Sequence, residues 1–293
     1  MTTLAVVAHS GKSLGGGLPE LRRVLAEAGH PDPLWFEVPK SRKAPPQVRR
    51  ALEQGAEQLI IWGGDGMVQR CVDALGDSRA EVAIIPAGTA NLLASNLGIP
   101  RDIEQAVDIA LHGMTRAIDA ATMNGERFAV MGGAGVDASM IRAADSGAKQ
   151  KLGRAAYVLT GARAITATPF RAKLKVDGAP WYDGAAGCVL IGNVGALFGG
   201  LTVFPDAEPD DGMLDLAVVT ATGVKDWARV AARTAVGDIA ASPHVRVTRA
   251  KKVSVRLDRK VRYEIDGGDR SRVKRLRVRV EPGVLRVRVP LES

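Results

Sequence analysis

Apolar residues fall in short unbroken blocks over the first 120 positions of the chain, and at alternating single positions over much of the rest. LAVVAH (Leu4 to His9) is a block of the kind a strand carries when both its faces are buried. LPELRRVLAEAG then puts Leu18, Leu21, Val24 and Leu25 at helical spacing, and Gly29 ends it. The same alternation continues. PLWFEV, QLIIW and EVAIIP read as strands; PPQVRRALEQGA, Met67 to Leu75, Ala90 to Leu97 and Asp102 to His112 read as helices. Apolar strands that alternate with helices predict a parallel sheet covered on both sides.

The texture changes after Thr122. RFAVMGGAGVD, RAKLKVDG, GCVLIGNVG, LDLAVVTA, VSVRLDRKVRYEIDG, RLRVRVEPG and VLRVRVP are short strand patterns divided by Gly, Pro and Asp turns. They predict a sandwich-like β domain. Helices are expected to interrupt it over Asp137 to Ala164 and in TGVKDWARVAARTAVG.

A chain of 293 residues is long enough for two domains, at roughly 150 residues each. Its net charge of +8 favours an anionic partner: a phosphorylated ligand, a nucleic acid or an acidic membrane surface. The charge is concentrated late, with 16 Lys and Arg against five acids between His244 and Pro290. Arg alternating with Val makes one strand face cationic and the other apolar. That pattern suits either a guarded edge strand or contact with lipid head groups. Cys71 and Cys188 stand far apart, which fits a reducing compartment, and the four scattered histidines make no zinc cluster. The opening apolar run is too short for an export signal, and no run reaches the length of a spanning helix. The expectation is a soluble protein, at most peripheral to a membrane.

Chemistry concentrates at two glycine-rich strand ends. Gly63-Gly64-Asp65-Gly66 separates a buried strand from its helix, and Gly88, Thr89 and Asn91 stand at the corresponding place after the next strand. Glycine lets backbone approach a ligand closely, and the first turn of a helix offers N–H groups to phosphate. Such turns lie at the carboxyl ends of strands, where doubly wound sheets bind ligands. A lone acid among phosphates calls for a cation or a nucleotide hydroxyl beside it; the alternative is a tight turn with Asp as cap. Two other stretches only imitate nucleotide motifs. Gly11-Lys12-Ser13 lacks the glycine five residues earlier, where Val6 stands, and GAGVDA (Gly133 to Ala138) has no βαβ frame.

In order, these residues resemble the diacylglycerol kinase catalytic family, which includes sphingosine and ceramide kinases, and within it the bacterial lipid-kinase branch. Ser10-Gly11, Gly63 to Met67, Pro86 to Asn91, KLGRAAYVL, IGNVGALFGGLTVFPDAEPDDGMLDLAVV and EIDGGDRSRVKRLRVRVEPGVLRVRVP carry the likeness along nearly the whole chain. The resemblance implies an α/β plus β architecture. Residues 1–122 would form a doubly wound nucleotide-binding domain of the phosphofructokinase and NAD-kinase type. Residues 123–283 would form a β-sandwich holding the lipid, with the last strand, near 284–293, returning to the first domain. It implies ATP and Mg²⁺, and phosphoryl transfer to a lipid hydroxyl. Ser10, Gly11, Gly63, Gly64, Asp65, Gly66, Gly88, Thr89 and Asn91 would line the nucleotide, and Asp65 would organise Mg²⁺ and phosphates. Asp211, with the carbonyls of Glu208 and Met213, would bind a structural Mg²⁺; the acidic turn EPDDGM suits a hard cation, or is a plain hairpin turn.

Four positions depart from the family pattern. Met67 replaces a Thr, Pro39 stands where a Thr often touches nucleotide, and Leu92 stands where many members have Asp. Gly268 occupies the place of the expected catalytic Glu, which leaves Asp269 as the candidate base and Asp266 as the other. The expected function is an ATP-dependent kinase of a diacylglycerol-like lipid, cytoplasmic and peripheral at an anionic inner membrane surface. Nucleic acid is not an expected partner, and a homodimer is left open. The rival readings are a kinase of a soluble hydroxyl compound and a catalytically silent binding protein of the same fold.

Overall fold

The computed structural model describes residues 2–135, 169–195, 202–221, 223–235 and 239–291. The helix expected over Asp137 to Ala164, with KLGRAAYVL, lies outside the described residues. The chain forms two compact units: Met1–Asp119 with Gly283–Ser293, and Ala120–Pro282.

The first unit is a parallel sheet. Its strands are β1 (Leu4–His9), β2 (Leu34–Val38), β3 (Gln58–Gly63) and β4 (Glu81–Pro86), in the order β4, β3, β1, β2. The end of β14 (Gly268–Val289) adds a fifth strand, Val287 pairing in parallel with Val82. Helices α1 (Gly17–Glu27), α2 (Ala44–Glu53), α3 (Asp65–Ala74), α4 (Leu92–Asn96) and α5 (Ile103–His112) follow the strands. Helix α5 packs on β4, α3 on β3 and α2 on β1, strands whose central residues are inaccessible, and α1 buries Leu21, Val24 and Leu25 and packs beside α5. Asp102 caps α5 by accepting from the Gln105 N–H at 2.9 Å, and Gly29, at φ +89°, ends the turn after α1.

The second unit is antiparallel and sandwich-like. It holds β5 (Met114–Met123), which starts within the first unit, and then β6 (Glu126–Phe128), β7 (Met131–Ala134), β8 (Phe170–Val176) and β9 (Ala179–Ala186). β10 (Cys188–Gly192), β11 (Leu214–Val219), β12 (Val245–Ala250), β13 (Lys252–Ile265) and the first part of β14 complete it, with helix α6 (Val224–Ala235) between β11 and β12. β13 changes partner along its length: Val253 to Leu257 pair with β8, and Tyr263 to Ile265 pair with β7. A register break against β14 between Arg256 and Val261 falls between the two stretches, where a bulge bends the strand. One core joins Phe170, Leu174, Ile191, Leu216, Val255 and Leu276.

Three two-residue turns set the hairpin registers: Asn124-Gly125, Asp177-Gly178 and Asp266-Gly267, each with both residues at positive φ. This is the turn whose twist matches paired strands. RLRVRVEPG and VLRVRVP are not separate strands as expected. They are one strand, β14, which tolerates Pro282-Gly283 because Gly283 takes φ +60°. APWYDGAA is strand β9, which the sequence pattern missed; among the described residues it pairs with β8 alone, and an edge accepts Pro180.

Candidate active site

Two loops leave the sheet side by side where β3 and β4 end, since Gly63 pairs with Pro86 in the parallel register. A Cβ added to Gly64 would lie 2.9 Å from the Gly88 Cα. The two backbones therefore touch, and neither position admits a side chain. Asp65 ties them together. Its Oδ2 accepts from the Asn91 N–H at 3.0 Å and its Oδ1 from the Leu92 N–H. Asn91 then fixes the second loop from inside. It takes φ +50°, its Oδ1 accepts from the Gly88 N–H at 2.8 Å, and its amide donates to the carbonyls of Pro86 (3.2 Å) and Gly88 (2.9 Å). Asn91 is thus occupied in holding the turn's shape, while Gly66 and Thr89 are exposed. Helix α3 starts at this turn, with Met67 and Val68 N–H groups on the Gly64 carbonyl, so its first turn can offer N–H groups to an anion.

The loop after β1 is tied to the end of β2, where the Ser10 hydroxyl and N–H both donate to the Val38 carbonyl. The Gly11 N–H donates to His9 Nδ1 at 3.1 Å. Burial, and then the charge of Lys12, lower the His9 pKa, so this imidazole stays a neutral acceptor. Met67 does not face a ligand: it is 2% exposed, and its Cγ lies 2.7 Å from where a Gly63 Cβ would be. Replacing the family's Thr at 67 therefore changes the packing beneath the turn. Pro39 is exposed, but Ser41 brings its Oγ within 3.8 Å of the Cβ position of Gly66. Sequence reading passed over that hydroxyl, whose only signal was its place after a parallel strand.

The acids of the second unit separate by environment. Asp266 is buried, and its carboxylate accepts from three successive N–H groups, those of Ala129, Val130 and Met131, at 2.9 to 3.1 Å. That role fastens a hairpin, and it removes Asp266 as a candidate base. Asp269 is exposed, at the start of β14, directly opposite the buried Glu264 of β13. The pairing places the two residues across the ladder from each other, one exposed and one buried. Glu264 was not singled out in the sequence because it sits in a strand that otherwise alternates. Burial, then the negative charge of Glu264, push the Cys188 thiol up to about 12. At Gly268 a Cβ would meet the Arg270 Nη1 at 2.7 Å, and that guanidinium is anchored on Glu126 at 2.7 Å.

Comparison with known proteins identifies the family. A family model for the diacylglycerol kinase catalytic domain matches residues 4–123, and one for the YegS C-terminal NAD kinase beta sandwich-like domain matches residues 130–289. A diacylglycerol kinase of Bacillus subtilis (strain 168) is 31% identical over 213 residues, 71% of this chain and 70% of that protein. The chain belongs to the diacylglycerol kinase and YegS-like lipid kinase family. It is a phosphotransferase of the lipid-kinase type. A probable YegS-like lipid kinase of Pseudomonas aeruginosa (strain UCBPP-PA14) is likewise 31% identical, over 84% of this chain and 81% of that one. The crystal structure of a diacylglycerol kinase from Bacillus anthracis str. Sterne shares the fold at a TM-score of 0.74, with 21% identity over 98% of this chain and 96% of that one. An NAD kinase from Archaeoglobus fulgidus, solved in complex with ATP, shares it more distantly, at 0.53 and 13% identity over 95% and 90%.

In this lipid kinase the acidic turn expected to hold Mg²⁺ already contains a cation. One Asp211 oxygen accepts from the Met213 N–H at 2.9 Å, and the other lies against the Arg249 guanidinium. Arg249 Nε also reaches Asp215 at 4.0 Å, directly across the β11–β12 ladder. Burial, then the charge of Asp206, raise Asp215 to about 6. Glu208 is exposed on the same turn. Among the described residues no group of three His, Cys, Asp or Glu side chains is placed to hold a metal. As they stand, these residues fit a guanidinium better than a divalent ion.

Proposed function

We propose that the protein transfers the γ-phosphoryl group of ATP to the hydroxyl of a diacylglycerol-like lipid, working from the cytoplasmic side as a peripheral enzyme. The contact of Gly64 with Gly88 carries this reading. It makes a seat lined by backbone alone, of the kind that phosphates require. ATP bound there would supply the phosphoryl group, and a Mg²⁺ carried with it would mask the charge of its oxygens. Asp65 keeps the two loops in register, Thr89 and Gly66 face the ligand side, and Ser10, Gly11 and Gly63 border it. Asp269, exposed at the start of β14, is the candidate to accept the proton of the lipid hydroxyl.

Purified protein with Mg²⁺-ATP and diacylglycerol in neutral detergent micelles tests the reading. Labelled phosphate should pass to the lipid. Asp269→Asn should lower kcat by about 10²- to 10⁴-fold, the usual range for a general base, while leaving ATP binding intact. One observation favours a silent binding protein: Arg270 fills the place where a side chain at 268 would begin. ATP binding with no transfer to any lipid of a panel would establish that reading, and transfer to NAD instead would establish a soluble acceptor.

A further inference from the structure

The cations of β8, β13 and β14 are not spread along a guarded edge. β13 is paired on both sides, by β8 and β14, and β14 by β13 and β5. Edge protection therefore does not explain them. The register sets them in rows on the solvent face. Lys173, Arg256 and Arg275 stand side by side; Lys175, Ser254 and Arg277 form the next row; Lys252 and Arg279 the third. The alternate residues of the same strands, Leu174, Val255 and Leu276 among them, face the core.

Like charges directly opposite one another destabilise a ladder. Three such pairs fall in these rows, Arg256 with Arg275, Lys173 with Arg256 and Lys252 with Arg279. Only the rims are neutralised: Asp183 pairs with Lys173 at 2.8 Å and Glu281 with Arg279 at 3.0 Å. Among the described residues no carboxylate pairs with Lys175, Lys252, Arg256, Arg275 or Arg277. Beside the rows, the Asn124-Gly125 turn walls an open groove of about 800 Å³.

We propose that this face docks the enzyme on an anionic bilayer, the five unpaired cations lying among lipid phosphates. Its choice of partner rests on the lipid-kinase reading. The rows contain no aromatic side chain on which a nucleic-acid base could stack, and their uniform sign repels a second copy of the chain.

The test is co-sedimentation with vesicles of phosphatidylcholine, with and without phosphatidylglycerol, comparing the parent with Lys175→Gln/Arg275→Gln/Arg277→Gln. The parent should prefer the anionic vesicles and lose that preference as salt rises. At roughly fivefold per basic residue near a surface, the triple variant should partition about 100-fold more weakly. Its melting temperature should hold or rise, because repulsion is relieved. Equal partitioning of parent and variant overturns the proposal, as does a loss of DNA binding without a loss of vesicle binding. Phosphate transfer in neutral micelles, measured on the same samples, reads the kinase separately. Lost vesicle binding with unchanged micelle activity supports the docking face. Absent transfer with cation-dependent vesicle binding also supports it, and removes the kinase reading alone.

Discussion

At Gly88 a single hydrogen atom decides whether the two loops can touch. An added Cβ would meet the backbone of Gly64 and stand 2.6 Å from Asn91 Oδ1. Gly88→Ala should therefore part the two loops, costing about 1–3 kcal/mol of stability and weakening ATP binding more than tenfold by calorimetry. Asp65 and Asp266 show one residue type in two tasks. Both accept backbone N–H groups from distant segments, but Asp266 accepts three and is buried. Asp266→Asn would turn an NH₂ group toward N–H donors. It should cost about 2–3 kcal/mol in thermal unfolding, and kcat should stay near the parent value in the fraction that remains folded.

The elements explain why the last residues belong to the first unit. Arg288, near the end of β14, donates to the Ala110 and Leu111 carbonyls at 3.1 and 2.9 Å and so closes the end of α5. Arg286 reaches Glu81 at 3.0 Å. Burial alone would raise Glu81, but hydrogen bonds from Arg286 and Thr115, with the charges of Arg288 and Arg286, outweigh it and hold the carboxyl below its usual range. A depressed carboxylate lends stability above its unfolded value, near pH 4, and that stability is lost as pH falls through the lower folded value. Glu81→Gln should thus be less stable than the parent at pH 7, with the gap closing below about pH 4, as pH-resolved denaturation would show. The elements were largely legible in the sequence. β1 has the bounds that its apolar block implied, and Asp-Gly marked two of the hairpins. β9 and the continuity of β14 were not legible, because Pro and Gly are read as breaks until the pairing partner is known.

For the molecule as a whole, an internal cation stands where the family resemblance implied an external one. If Arg249 neutralises Asp211 and Asp215, the parent's melting temperature should be indifferent to Mg²⁺ or chelator when no nucleotide is present. Arg249→Gln should make it rise with Mg²⁺, since a ligand that binds only the folded state stabilises it by mass action. A chelator-sensitive parent would restore the structural Mg²⁺.

The sequence by itself determined the two-part architecture, the parallel and antiparallel halves, the paired glycine turns and the excess of cations. Each of these is written in periodicity or turn chemistry within a few residues. Only the tertiary structure decided that Gly64 touches Gly88, that Asp266 is fastened to residues 129–131, that Met67 faces inward, and that the cations fall in rows across interior strands. These facts depend on register between segments far apart in the chain. A one-residue change of register would send the same side chains to the opposite face without altering any local pattern.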